Sequence, residues 1–190
     1  MDAFYAGIDN PLSITVSGVP LQDIEISVTN GTAVRIAEWW NIRPIKVNVE
    51  SVVTVTALIN GKRTIVCSKT FQVKPLPNPS VRLLYHPASG VAIGFRGGTI
   101  AKNELLSATR VFAMLDDLDV QFKVLSFSLN YTDSNGNVLS EHAEGAELTA
   151  RQLNILRGLA VGKSVYITNV IVVGPDYIQR KLQTLAITLK

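Results

Sequence analysis

The sequence predicts a mainly β protein, a β-sandwich followed by an α+β domain, and three observations carry that prediction. Short β-branched runs recur about every ten residues through the first part of the chain, the spacing of an all-β sandwich. After position 79 the pattern changes to longer strand-like runs with two stretches of helical period among them. Between the two patterns stands "KPLPNPS", with prolines at 75, 77 and 79. A chain of 190 residues accommodates two domains of about a hundred residues each.

Residues 4–74 contain "FYAGI", "LSITV", "IEISV", "TAVRI", "IKVNV", "VVTVTALI" and "RTIVCSKTFQV", bounded by turn signals such as "DNP", "SGVP" and "TNG". No helical period competes with these runs, so residues 1–74 are expected to form an immunoglobulin-like sandwich. In "TVTALINGKRTIV" the pair Asn60-Gly61 stands where a two-residue type I′ turn needs positive φ twice, which predicts a hairpin. Cys67 is the single cysteine, and strand periodicity sets it beside apolar or small neighbours, so a buried, inert thiol is expected. One cysteine excludes an internal disulfide and leaves the redox compartment open.

"EWW", ending in Trp39 and Trp40, bears on binding. Adjacent strand residues point to opposite faces, so one indole fills the core and the other faces outward as a possible interface anchor, unless a loop covers both.

Residues 75–79 read as a rigid linker. A flexible tether is rich in Gly and Ser, whereas Pro75, Pro77 and Pro79 fix φ at alternate residues and bias Lys74, Leu76 and Asn78 toward extended backbone. Six such residues in polyproline II span roughly 19 Å at about 3.1 Å each. The spacing is not P-x-x-P, which argues against a ligand for a proline-binding module.

Residues 80–190 are expected to form an α+β domain, an antiparallel sheet carrying two short helices. "NELLSATRVFAML" at 103–115 has a loose 3.6-residue period with Asn103 as N-cap, predicting a helix of two or three turns, although its half from Val111 equally suits extended chain. In "LTARQLNILRGL", Thr149 and Gln152 form a capping box, Leu148 and Leu153 are spaced as a hydrophobic staple, and Gly158 is placed to end the helix in a left-handed turn. Between them lies a strand, a turn at Asn135-Gly136 and a second strand. The chain closes with two strands joined by a Gly-Pro-Asp turn.

Composition excludes several function classes. With 47% hydrophobic and 17% charged residues the chain is not of the disordered class. Charge is nearly balanced in both halves, with seven basic and six acidic residues up to position 74 and eleven and nine after it. No Lys/Arg run exceeds two, so no nucleic acid partner is expected. No apolar run is long enough to span a membrane, and no secretory signal opens the chain.

Chemistry is as sparse. His86 and His142 stand apart, with no metal-ligand spacing, so no metal and no cofactor is expected. "GFRGGTIAKNE" at 94–104 meets neither the P-loop nor the dinucleotide spacing. Neither "DDLD" at 116–119 nor "DSNGN" at 133–137 follows the EF-hand pattern. No G-x-S-x-G elbow is present, so no catalytic residue is expected. Asp116, Asp117 and Asp119 are what a hydrolase would need to enlist, beside a pocket and with a raised carboxyl pKa.

Several stretches together resemble the GldM/PorM family of gliding motility and type IX secretion: "YAGIDNPLSITVSGVP", "INGK", "FQVKPLPNP", "FKVLSFSL" and "VYITNVIVVGPDYIQRKLQTLAITL". "HPASGVAIGF" and "TRVFAMLDDLD" depart from the pattern. The resemblance implies a third and a fourth periplasmic domain, preceded in the native protein by a cytoplasmic tail, a transmembrane helix and two further domains, with Met1 an added start. It further implies a non-enzymatic, dimeric periplasmic shaft whose distal end meets PorK/PorN-type ring proteins and whose membrane end couples to a motor, with no direct membrane contact here. A carbohydrate- or protein-binding sandwich of a surface adhesin is the alternative, with Trp39 or Trp40 as its site.

Overall fold

The computed structural model describes residues 3–88 and 90–190, so Met1 lies outside the described residues. The chain divides into two compact units: Met1–Leu76 with Pro175–Ile178, and Pro77–Gly174 with Gln179–Lys190.

Among the described residues the first unit has seven strands, β1 (Ala3–Tyr5), β2 (Asn10–Ser13), β3 (Ile24–Val28), β4 (Thr32–Ile36), β5 (Trp39–Arg43), β6 (Ser51–Ile59) and β7 (Lys62–Lys74). They form one sheet of order β1-β7-β6-β3 and a second of order β2-β5-β4. All pairings are antiparallel except β1 with β7. Alternation along each strand sends one row inward, and the inward rows of both sheets meet in one core of Phe4, Trp40, Ile42, Val53 and Phe71, with Leu12, Ile26, Val28 and Ala33 against it. Phe4 and Phe71 stack with ring centroids 4.2 Å apart, tying β1 to β7. The turn at Asn60-Gly61 has φ of 50° and 75°, so the expected hairpin forms there.

Two features of this unit differ from expectation. "IKVNV" is not a strand: residues 45–49 form a loop, and the strand is β5, "WWNIR". The loop is held by Asn30, whose side-chain amide donates to the carbonyls of Lys46 (2.8 Å) and Val49 (3.0 Å). The same side chain accepts from the N–H groups of Ile45 (3.3 Å) and Lys46 (3.0 Å). A backbone so satisfied by one side chain has no need of a sheet neighbour. Cys67 is exposed rather than buried. Periodicity places it opposite the buried Val55, yet residues 62–70 of β7 are all exposed.

The second unit contains β8 (Ser80–Tyr85), β9 (Ile93–Phe95), β10 (Gly98–Ile100), α1 (Lys102–Leu105), β11 (Ala108–Met114), β12 (Lys123–Thr132), β13 (Val138–Glu144), α2 (Ala150–Gly158), β14 (Ser164–Val173), β15 (Gln179–Lys181) and β16 (Leu185–Leu189). A six-stranded sheet runs β10-β16-β14-β12-β13, with β15 also on β14, and a three-stranded sheet runs β11-β8-β9. The main sheet is antiparallel except at its edge, where β10 pairs with β16 in parallel. Phe127, Leu129, Val165, Ile167 and Ile187 form its buried rows.

Helix α1 is a single turn that starts after Ala101, not at an Asn103 cap, and the residues from Ala108 are strand. Thr109, Val111 and Phe112 are β-branched or aromatic, and the ladder with β8 outweighs their loose helical period. Helix α2 keeps its capping box: the Gln152 N–H donates to Thr149 Oγ1 (3.1 Å) and the Thr149 N–H to Gln152 Oε1 (3.0 Å). Gln152 is fully buried and its Nε2 also donates to the Glu141 carbonyl (2.9 Å), fixing the helix start to β13. Gly158 is the last helical residue and has no positive φ; Leu159 leaves the helix in extended conformation. The closing segment has three strands rather than two, because β15 and β16 pair with successive parts of β14.

Candidate interaction surface

The two tryptophans separate as strand geometry requires. Trp40 is buried in the sandwich core beside Ile42, and Trp39, on the opposite face of β5, is 52% exposed. Register builds a surface around it: Trp39 lies between Ser13 of β2 and Ile36 of β4, and its neighbour two residues on, Asn41, lies between Pro11 and Val34. Val34 and Ile36 are 56% and 55% exposed. Arg43, held by Asp9 at 2.8 Å, stands at the far end of β5 on this face, and Glu38 is exposed in the turn before Trp39. An apolar face with an exposed Trp at one end of its middle strand has the composition of an interface core rather than of ordinary surface. Sequence reading named Trp39 and Trp40 without choosing between them, and did not single out Val34 and Ile36, which "TAVRI" displays on alternate positions.

A second exposed region belongs to β7. Residues 62–70 are all exposed, including Ile65 and Val66, and only Phe71 and Val73 of the strand are buried. Arg63 reaches Glu25 at 2.6 Å.

In the second unit the acidic run is engaged by arginines. Asp116 accepts from the nearly buried Arg82 and from Arg96 (3.2 Å). A carboxylate neutralising a buried guanidinium is a structural arrangement. Asp119 lines a groove of about 720 Å³ with Arg110, Phe112, Lys123 and Glu147. His142 Nε2 lies 2.9 Å from Glu144 Oε1 at the surface, and His86 is exposed. Among the described residues no group of three or more His, Cys, Asp and Glu could hold a metal ion. Among the same residues no helix is long and apolar enough to cross a membrane.

The turn between β12 and β13 is organised by Asp133. The Asn137 side-chain amide and then the Asn137 N–H hold its carboxyl below the usual range against the opposing effect of desolvation, with smaller help from the N–H groups of Asn135 and Gly136. A depressed folded pKa means that the contribution is present above the ordinary value of 3.8 and lost as pH falls through the folded value. The protection of the Asn135 and Asn137 amides, measured against the intrinsic exchange rate at each pH, is therefore expected to fall on acidification below 3.8, and Asp133→Asn to lack that protection and exchange faster at neutral pH. Equal rates in the two proteins at neutral pH would contradict this.

The chain was compared with known families. Residues 1–74 match the model described as GldM third domain, and residues 75–190 the model described as GldM C-terminal domain. No curated protein matches the chain.

Proposed function

Because the chain belongs to the GldM family over its whole length, we propose that its two domains are a non-enzymatic segment of a dimeric periplasmic shaft. GldM is a component of the gliding motility and type IX secretion machinery. In this reading the segment passes motor-driven motion from the inner membrane toward PorK/PorN-type ring proteins at the outer membrane. The order β1-β7-β6-β3 over β2-β5-β4, with first and last strands parallel, supports an immunoglobulin-like sandwich as the first domain. Pro75, Pro77 and Pro79, each holding φ near about −65°, are its stiff linker.

The observation that carries the reading is the apolar face of Trp39, Val34 and Ile36, backed by a packed core that includes the adjacent Trp40. A preorganised face of this kind suits a permanent partner, and in this proposal the partner is a second copy of the chain. Trp39→Ser is expected to weaken self-association about thirtyfold, the effect of losing a hot spot worth roughly 2 kcal/mol. Sedimentation equilibrium measures it, and unchanged circular dichroism excludes misfolding. A wild-type chain that stays monomeric at high concentration and does not capture the ring proteins would sink the reading. Glycan binding lost in Trp39→Ser would favour an adhesin module instead.

A further inference from the structure

β7 has thirteen residues, and among the described residues β1 pairs with its last three: Ala3 lies opposite Gln72, Phe4 opposite Val73 and Tyr5 opposite Lys74, in parallel. Residues 62–68 form a ladder with β6 on one side and have no strand on the other among the described residues. The backbone N–H and C=O groups of that side form a template for another strand. The segment contains no Pro or Gly to blunt it. Its core-side row is uncovered as well, since Cys67 is exposed while its β6 neighbour Val55 is buried.

The direction of β1 identifies the occupant. A strand parallel to β7 and already in register with its end points, when traced backward from Ala3, along the open edge toward Lys62. The first unit matches a third domain, so in a GldM protein earlier domains precede it and the chain must arrive at β1. We infer that in the intact protein the stretch immediately upstream of Met1 continues β1 along residues 62–68 of β7, lengthening the shared sheet with chain that leads in from the preceding domain. A second copy of β7 is a poorer occupant, because Lys62, Arg63, Lys69 and Lys74 come without an acidic residue in the strand and self-pairing would gather like charges. This inference rests on family membership and holds whether or not the Trp39 face dimerises.

Cys67 is a built-in probe. In the register of β1, the residue five positions before Ala3 falls opposite Cys67, which is the last β7 residue before the irregularity at Val55/Thr56. Strand neighbours are about 4.8 Å apart, within the Cα separation of about 4.4–6.8 Å that a disulfide spans. In the intact protein, with Cys67 as the remaining native cysteine, a cysteine at that upstream position is expected to form an intrachain disulfide under a copper(II) oxidant. A cysteine one residue nearer Ala3 points to the other face and is expected to stay reduced. Independently, amides of residues 63–68 are expected to exchange at least tenfold more slowly in the intact protein than in residues 1–190 alone. A disulfide-linked dimer, no link from either upstream position, or equal exchange in the two proteins would overturn the inference.

Discussion

Asn30→Ala is expected to destabilise the first unit by about 4 kcal/mol, one net hydrogen bond of about 1 kcal/mol for each of the four its side chain makes. An amide can donate twice and accept twice, and here every site is used on loop 45–49. Since small domains are stable by only about 5–15 kcal/mol, the loss removes between about a quarter and four-fifths of that stability. Asn30→Asp is the sharper test. It keeps the shape but turns the two donors toward Lys46 and Val49 into acceptors, so it should cost at least as much as alanine. Urea unfolding followed by tryptophan fluorescence, with Trp40 in the same core, reads both. A midpoint for Asn30→Asp within error of wild type would show that the loop does not depend on this side chain.

Asp176→Ala is expected to remove about 3 kcal/mol from the same unit. Asp176 is 5% exposed; its Oδ2 accepts the Leu76 N–H at 3.0 Å and its Oδ1 the Ile178 N–H at 3.3 Å. Leaving a buried N–H without its acceptor costs about 1–3 kcal/mol, less for the longer of the two bonds. Asp176→Asn retains one oxygen acceptor and should lose roughly half as much. The two variants, compared by thermal unfolding and by amide exchange at Leu76, should therefore rank wild type, Asn, Ala. If alanine and asparagine unfold alike and close to wild type, Asp176 is not what fastens Pro175–Ile178 within the first unit.

These two residues show where sequence reading stops. "TNG" and "GPD" are legible as turns because turn chemistry is local, but neither reveals that its Asn or Asp is a buried hydrogen-bonding centre. Leu76 and Asp176 are 100 residues apart in the chain, and no spacing rule connects them. The hairpin at Asn60-Gly61 and the capping box of Thr149 and Gln152 were legible in full, since each is closed by groups within four positions of one another. "IKVNV" misled because alternation signals a strand only if a neighbour is available, and Asn30 supplies the loop's hydrogen bonds instead. In "SATRVFAML" the helical period was a coincidence of spacing, and the partner β8 decided for strand.

The candidate surface divides in the same way. By itself the sequence determined that the protein is mainly β and that its likeness is to GldM. It also determined that Trp39 and Trp40 oppose each other across a strand, because alternation is a property of the extended backbone. The tertiary structure alone decided that Trp39 is the outward one, that Ile36 lies beside it with Val34 next along β4, and that among the described residues 62–68 of β7 pair with β6 on one side only. Those outcomes depend on which strands pair and in what register, and pairing is settled by packing between segments far apart in the chain.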